Sequence, residues 1–448
     1  QRQMCIRDRI MTYTIEKVTT LIGARRYGDK DTNIGFILTD SRSLCFPEET
    51  LFFALKSERN DGHNYIPELY RRGVRNFVVT NVPKGYASDY PEANFLKVVN
   101  TLEALQRLAE RHRDEFNIPI VGITGSNGKT MVKEWLYQLL SPSMFVTRSP
   151  RSYNSQIGVP LSVWLMNEQT EVGVFEAGIS QPGEMLALRD IIQPTIAVLT
   201  YLGSAHQENF ESLEAKCREK IILFHDAETI VYNGDDEIVS KVVGEYHDYK
   251  GEKLYWSQKD AEAPFFIKNI EKKNDLTIVT YIYKGEEDSY SLPFIDEASV
   301  TNSIISAVVS RKLGLSAEDV DKRMSLLEPV AMRLEVKEGQ HGCTLINDSY
   351  NSDINSLDIA LDFMSRRPDH KGRRHTLILS DIFQSGETPA DLYKEVSDLC
   401  RKRGVVKFIG VGPQLYEQSD EIQISEKFFF RNVEEFIDLS LIHISEPT

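Results

Sequence analysis

Gly125, Ser126, Asn127, Gly128, Lys129 and Thr130 form a short run of small and polar residues that ends in Gly-Lys-Thr. Backbone N–H groups in such a turn can approach phosphate oxygens closely. A lysine in this position reaches β- and γ-phosphates, and the hydroxyl after it ligates Mg2+. A strict phosphate loop has Gly, four residues, then Gly-Lys-Ser/Thr. Here Ile123 stands in the first position and Gly122 falls one residue early. A glycine-rich turn that binds nothing is therefore the bland alternative. Three further candidates lie downstream. Glu176 follows the apolar run Val172-Gly173-Val174-Phe175; Mg2+ takes one or two carboxylates and keeps several waters, so Glu176 is either a ligand or a solvated loop residue. His206 is either a metal ligand or a hydrogen-bonding loop residue. Lys216 and Lys220 share a helical stretch, where residue chemistry alone reads a solvated lysine face.

A phosphate cradle needs a strand leading in and a helix leading out. Ile118, Ile120, Val121 and Ile123 supply the strand, and Val132, Trp135, Leu136, Leu139 and Leu140 recur at helical spacing after the turn. Apolar runs at 172–175 and 196–199 predict further strands of a parallel sheet, with ligands at their carboxyl ends. The alternating residues 276–283, followed by Lys284-Gly285-Glu286, predict a hairpin, and 300–309 a helix. Residues 11–100 read as a small α/β domain with strands at 35–38, 51–55 and 76–79 and a helix at 65–72. A helical linker covers 101–117, the central ATP-binding domain 118–331, and a third α/β domain 332–440, with strands at 343–346, 376–379 and 405–409. Residues 1–10 and 441–448 lack periodic pattern and read as non-native ends.

The 448 residues carry a net charge of −15, which argues against a broad nucleic-acid footprint but allows a local basic pocket. Five scattered cysteines without a CxxC pair suit a reducing compartment, and no apolar run reaches the roughly 20 residues of a membrane span. Cytoplasm is the expected location. The oligomeric state is left open, with a monomer compatible.

The 124–130 core, Asn154-Ser155-Gln156-Ile157-Gly158-Val159-Pro160, Glu176-Ala177-Gly178, His206 and Asp348-Ser349-Tyr350-Asn351 occur in one order. This ordered set resembles the Mur ligase family of peptidoglycan synthesis, over about residues 11–440. The resemblance implies an α/β, three-domain architecture, with a central P-loop ATPase domain of mostly parallel sheet and a Rossmann-like C-terminal domain. It implies that Lys129 holds the ATP phosphates beside Gly125, Ser126, Asn127, Gly128 and Thr130. Thr130 and Glu176 would bind one Mg2+, and His206 a second together with a carbamylated Lys220, chosen over Lys216 because Phe224 stands four residues later. Lys129, Lys220 and His206 would thus serve catalysis. Asn302, Arg333 and Asp348 would contact the nucleotide. Asn154, with Ser41 and Arg42 in Thr39-Asp40-Ser41-Arg42, would meet the substrate; Phe53-Ala54-Leu55-Lys56 and Asp61-Gly62-His63 continue the segments for a UDP-sugar end.

The 348–351 segment favours the branch that joins D-alanyl-D-alanine to UDP-N-acetylmuramoyl-tripeptide through an acyl phosphate, with ATP and two Mg2+ ions. Rivals within the fold are the ligase that adds the third residue, whose Asp-Asn-Pro-Arg motif is not found here, and folylpolyglutamate synthase. A P-loop switch or motor is the rival from another class. Some ligases with segments like 347–353 and 379–382 continue into an alanine racemase domain, and nothing in these residues shows a racemase. Several positions depart from the family pattern. Met131 replaces a second Ser/Thr, Ala298-Ser299 replaces His-Asn, and Asp353-Ile354 replaces Asn-Pro. The third domain reads as truncated, without the family's closing Lys-Gly-Ser-Arg-like strand.

Overall fold

A computed structural model describes residues 11–437 except 58–59, 204–208, 248, 274, 331–334, 340–342, 350–353, 367–373 and 383–387. The first sheet is built from β2 (Arg25–Tyr27), β4 (Phe36–Leu38), β5 (Thr50–Phe53), β6 (Asn76–Val79) and β7 (Asn94–Lys97), in the order β2-β7-β6-β5-β4. All its pairs are parallel except β2–β7. A small antiparallel ribbon of β1 (Tyr13–Thr14) and β3 (Asn33–Ile34) lies beside it. The stretch 65–72 divides into a 3-10 turn, Gly62–Tyr65, and a helix, Ile66–Arg71, with Pro67 near its start, where a missing N–H costs nothing.

The helix Thr101–Arg113 stops short of residue 117. The guanidinium of Arg113 closes it, donating to the carbonyls of Phe116, Ile192 and Gln193 at 2.6–3.0 Å. On the same helix His112 bridges two units: its Nε2 donates to the Met166 carbonyl (3.1 Å) and its Nδ1 accepts from the Tyr13 hydroxyl (2.8 Å). Trp164 lies over the His112 ring and donates its indole N–H to the Gly35 carbonyl at 2.9 Å. Trp164 thereby joins the apolar core formed by Val18, Leu51, Phe53 and Leu105, so the first and central units share buried surface.

The central sheet has nine strands. They are β8 (Ile120–Thr124), β9 (Val146–Arg148), β10 (Val172–Glu176), β11 (Ile196–Leu199), β12 (Thr229–Asn233), β13 (Glu252–Ser257), β14 (Phe265–Lys273), β15 (Leu276–Tyr283) and β16 (Glu286–Leu292). Their order is β16-β15-β14-β13-β12-β11-β8-β10-β9. Pairing is parallel from β9 to β14, and β14, β15 and β16 run antiparallel. β8 and β10 are buried along their whole length, as apolar runs covered on both faces should be. The helix Lys129–Leu140 buries Val132, Trp135, Leu136, Leu139 and Leu140, and the helix Glu297–Lys312 packs on it. The hairpin between β15 and β16 turns at Lys284 and Gly285, both with positive φ.

Beyond residue 334, β17 (Glu335–Glu338) pairs antiparallel with β18 (Thr344–Asn347). A parallel three-stranded sheet follows, with β19 (His375–Ser380), β20 (Val405–Val411) and β21 (Glu426–Phe430) in that order. The helices Ile354–Arg366 and Pro389–Lys402 cover it through Leu357, Leu361, Leu392 and Val396. Among the described residues no helix is long and apolar enough to cross a membrane.

Candidate active site

The turn after β8 lies where the neighbouring strands β10 and β11 also end, so residues distant in sequence meet there. Gly125 and Gly128 have φ of +145° and +86°. A Cβ on Gly125 would come within 2.1 Å of Thr200 Oγ1, and one on Gly128 within 2.5 Å of Asn302 Oδ1. Both positions therefore require glycine for conformation and for space. The turn is tied to the loop after β11. Ser126 N donates to the Tyr201 carbonyl (2.7 Å), Gly203 N donates to Ser126 Oγ (2.9 Å), and Thr200 Oγ1 donates to the Asn127 carbonyl (2.5 Å). Asn127 Nδ2 is buried and finds no acceptor among the described residues. An oriented donor at the mouth of a helix N-terminus fits a phosphate oxygen.

A cavity of about 740 Å³ opens over this turn. Its walls bring together the whole 125–130 run, Asn154, Lys220, Asn302 and Asp348, the last from the third unit. Thr130 Oγ1 donates to Glu176 Oε2 at 3.1 Å, and Asn154 Nδ2 lies 3.5 Å from the same oxygen. Asn302 Nδ2 sits 3.6 Å from Met131 Sδ, so the methionine that departs from the family pattern lies against the nucleotide-contact candidate.

Lys216 and Lys220 do not form a solvated face; both are buried. Helical spacing let residue chemistry read an exposed stripe, but this stripe turns toward the cradle. Lys216 Nζ donates to the Gly203 carbonyl at 2.6 Å. Lys220 Nζ donates to the Gly125 carbonyl at 3.2 Å, and Lys129 Nζ donates to that same carbonyl at 2.7 Å. Burial, followed by the nearby ammonium groups of Lys129 and Lys216, holds Lys220 well below the ordinary lysine range.

Thr130 and Glu176 present hard oxygens side by side. Glu176 is fully buried, and its Oε1 accepts no hydrogen bond of good geometry. The Lys133 ammonium lies 3.1 Å from Oε1, so the oxygens that fit a hard cation such as Mg2+ are Glu176 Oε2 and Thr130 Oγ1. Among the described residues no three His, Cys, Asp or Glu side chains cluster, which is compatible with an ion held by few carboxylates, waters and substrate phosphates. His206 and Arg333 lie outside the described residues. Ser41 and Arg42 are placed in the first unit and do not line this cavity. The Asp40 side chain caps Arg42 N (3.0 Å), and its hydrogen bonds from Arg42 hold the Asp40 carboxyl down to about 2.

One residue of the site escaped sequence reasoning. Lys133 is fully buried, with Nζ 3.1 Å from Glu176 Oε1 and 2.9 Å from Glu134 Oε1. Its signal was present: a lysine next to Val132 and one turn before Leu136, inside the apolar stripe of the helix.

The fold and cavity define a nucleotide-binding P-loop α/β domain set between two further α/β units. Residues 123–310 match the family model of the Mur ligase middle domain. The UDP-N-acetylmuramoyl-tripeptide–D-alanyl-D-alanine ligase of Bacillus subtilis is 28% identical over 382 residues, covering 82% of this chain and 77% of that protein. Among solved structures, MurF from Acinetobacter baumannii superposes with a TM-score of 0.82 at 22% identity, over 98% of this chain and 94% of its own. MurF ligase from Thermotoga maritima in complex with ADP gives 0.74 at 22% identity, over 95% and 92%. Sequence and fold are thus similar to those of Mur ligases over most of the chain.

Proposed function

We propose that this chain is a cytoplasmic ATP-dependent ligase that joins D-alanyl-D-alanine to UDP-N-acetylmuramoyl-tripeptide, forming an amide bond in peptidoglycan precursor synthesis. The observation that carries the reading is the convergence of the 125–130 turn, Lys220, Asn302 and Asp348 around one cavity, with the buried Glu176 hydrogen-bonded to Thr130 behind its wall. The named activity of the Bacillus subtilis relative supports it.

A carboxylate is a poor electrophile because oxide would have to leave. The tripeptide's terminal carboxylate oxygen bonds to the γ-phosphorus of ATP, and the bond to the β,γ-bridging oxygen breaks, releasing ADP. The dipeptide amine then attacks the acyl carbon, phosphate leaves, and the amine loses a proton. Carboxylate and triphosphate repel each other, so positive charge must lie between them. Lys129 supplies part of it at the phosphates, with backbone N–H groups of the turn. Thr130 and Glu176 would hold one Mg2+, and His206 and Lys220 a second. When bound, these ions neutralise phosphate charge and hold the reacting oxygens in line. Asn302 and Asp348 contact the nucleotide from two sides, Arg333 joins them from the third unit, and Asn154 meets the substrate. Ser41 and Arg42 hold the UDP-sugar end.

Lys220 would act as its carbamate. Two ammonium groups on the single Gly125 carbonyl are an unfavourable arrangement, and a neutral Lys220 amine relieves it and can add CO2. The product is an anion with oxygen donors, which explains how a buried lysine serves a cation.

The test is to measure phosphate release and product mass with ATP, Mg2+, UDP-N-acetylmuramoyl-tripeptide and D-alanyl-D-alanine, omitting each in turn. Release should need both acceptor substrates. Equal release from ATP alone would refute the ligase reading. Better turnover with a single amino acid as acceptor would move the chain to another branch.

A further inference from the structure

Glu176 is held by more than its two neighbours in the cavity. Lys133 lies one turn after Lys129 on the helix Lys129–Leu140 and points to the opposite side of the Glu176 carboxylate from Thr130. Thr130 engages Oε2, while Lys133 approaches Oε1 at 3.1 Å. The same ammonium donates to the Ser149 carbonyl at 2.9 Å and to the Arg151 carbonyl. Arg151 has a φ of +50°, a left-handed conformation that a non-glycine residue adopts at some cost. Its carbonyl is thereby turned onto Lys133. The chain that follows returns to the site: Ser152 Oγ lies 3.0 Å from Thr130 Oγ1, and Asn154 reaches Glu176 Oε2. Ser149 Oγ in turn accepts from Glu176 N at 3.2 Å.

We propose that Lys133 is a positioning residue for the metal site: it fixes the plane of the Glu176 carboxylate and the path of residues 149–154, so that Glu176 and Thr130 are already aligned when a divalent cation arrives. The inference rests on the ligase reading of this cavity. Lys133 touches neither nucleotide nor ion in this role; it acts through Glu176. A carboxylate with only Thr130 and Asn154 on one side could rotate about its last bond. Binding an ion would then have to freeze that rotation and reorder the 149–154 segment.

The test uses Mn2+ as a probe with ADP and reads binding, not turnover. Free and bound Mn2+ are measured by electron paramagnetic resonance for the full chain, for Lys133→Met and for Lys133→Gln. Glutamine can still donate to the Ser149 and Arg151 carbonyls, so it guards against a methionine variant that fails to fold. ADP binding in EDTA is measured alongside. Supporting groups behind a metal ligand typically change affinity 10–100-fold. The expected result is Mn2+ binding weaker by about tenfold or more, with metal-free ADP binding kept. Mn2+ affinity within about twofold of wild type in a variant that still binds ADP would overturn the proposal. Loss of metal-free ADP binding in both variants would assign Lys133 to folding alone and overturn it too. A wild-type chain that binds neither ADP nor Mn2+ with ADP would instead count against the ligase reading itself.

Discussion

Lowering the pH from 7 to 5 should cost this chain about 2 kcal/mol of stability through one buried side chain, His112. Burial is the main cause that moves its imidazole from 6.5 down to about 4. The bond to the Met166 carbonyl requires the proton on Nε2, so Nδ1 is the acceptor for the Tyr13 hydroxyl. A second proton would remove that acceptor and place a charge among Trp164, Phe116 and Tyr13. The unfolded chain binds this proton below about 6.5, and the folded chain refuses it until about 4. The contribution is therefore fully present above pH 6.5 and falls as pH drops through that window, by about 1.4 kcal/mol per pH unit. The loss reaches about 3 kcal/mol below pH 4. Urea unfolding at pH 7 and pH 5, followed by tryptophan fluorescence, measures it, and Trp164 reports locally because its ring centre is 4.7 Å from that of His112. Other groups titrate as well, so the quantity to compare is the fall in wild type against that in His112→Gln. Wild type should lose about 2 kcal/mol more than the variant. Parallel losses in the two proteins would refute the assignment.

Two further outcomes are expected at the site. Lys220→Ala should lower ligase activity at least about 100-fold, since removing an ion's ligand removes several kcal/mol of charge stabilisation; a short carboxylic acid added to the assay should restore part of it, and normal turnover would remove Lys220 from the metal site. Gly128→Ala places a methyl 2.5 Å from Asn302 Oδ1 at a φ of +86°. Strain of roughly 1–3 kcal/mol should weaken ATP binding by tenfold or more, as read by calorimetry, and unchanged affinity would show that the turn has another shape.

The strands with unbroken apolar runs, β8, β10 and β11, were readable because a buried parallel strand is apolar on both faces. The edge strand β9, Val146-Thr147-Arg148, was not readable, since three half-buried residues carry no period. β14 was hidden for a related reason. It is rich in charged and exposed residues after Ile267, and pairing with β13 and β15 makes it a strand. Lys216 and Lys220 show the same limit at the level of single residues: their spacing describes a stripe on a helix, and what that stripe faces is a tertiary fact.

The sequence by itself determined the phosphate cradle, because glycine, lysine and threonine at fixed local spacing between an apolar strand and an amphipathic helix need no distant partner to form it. It also carried the order of motifs on which the resemblance to Mur ligases rests. Tertiary structure alone decided how the cradle is armed. Parallel strands end on the same edge of a sheet, so Thr130, Glu176 and the loop after β11 meet although long stretches of chain separate them. Burial, which no spacing records, turns Lys220 toward Gly125 and Lys133 toward Glu176. A lysine's role is set by the charge and solvent around it, and those depend on which chain segments pack against it.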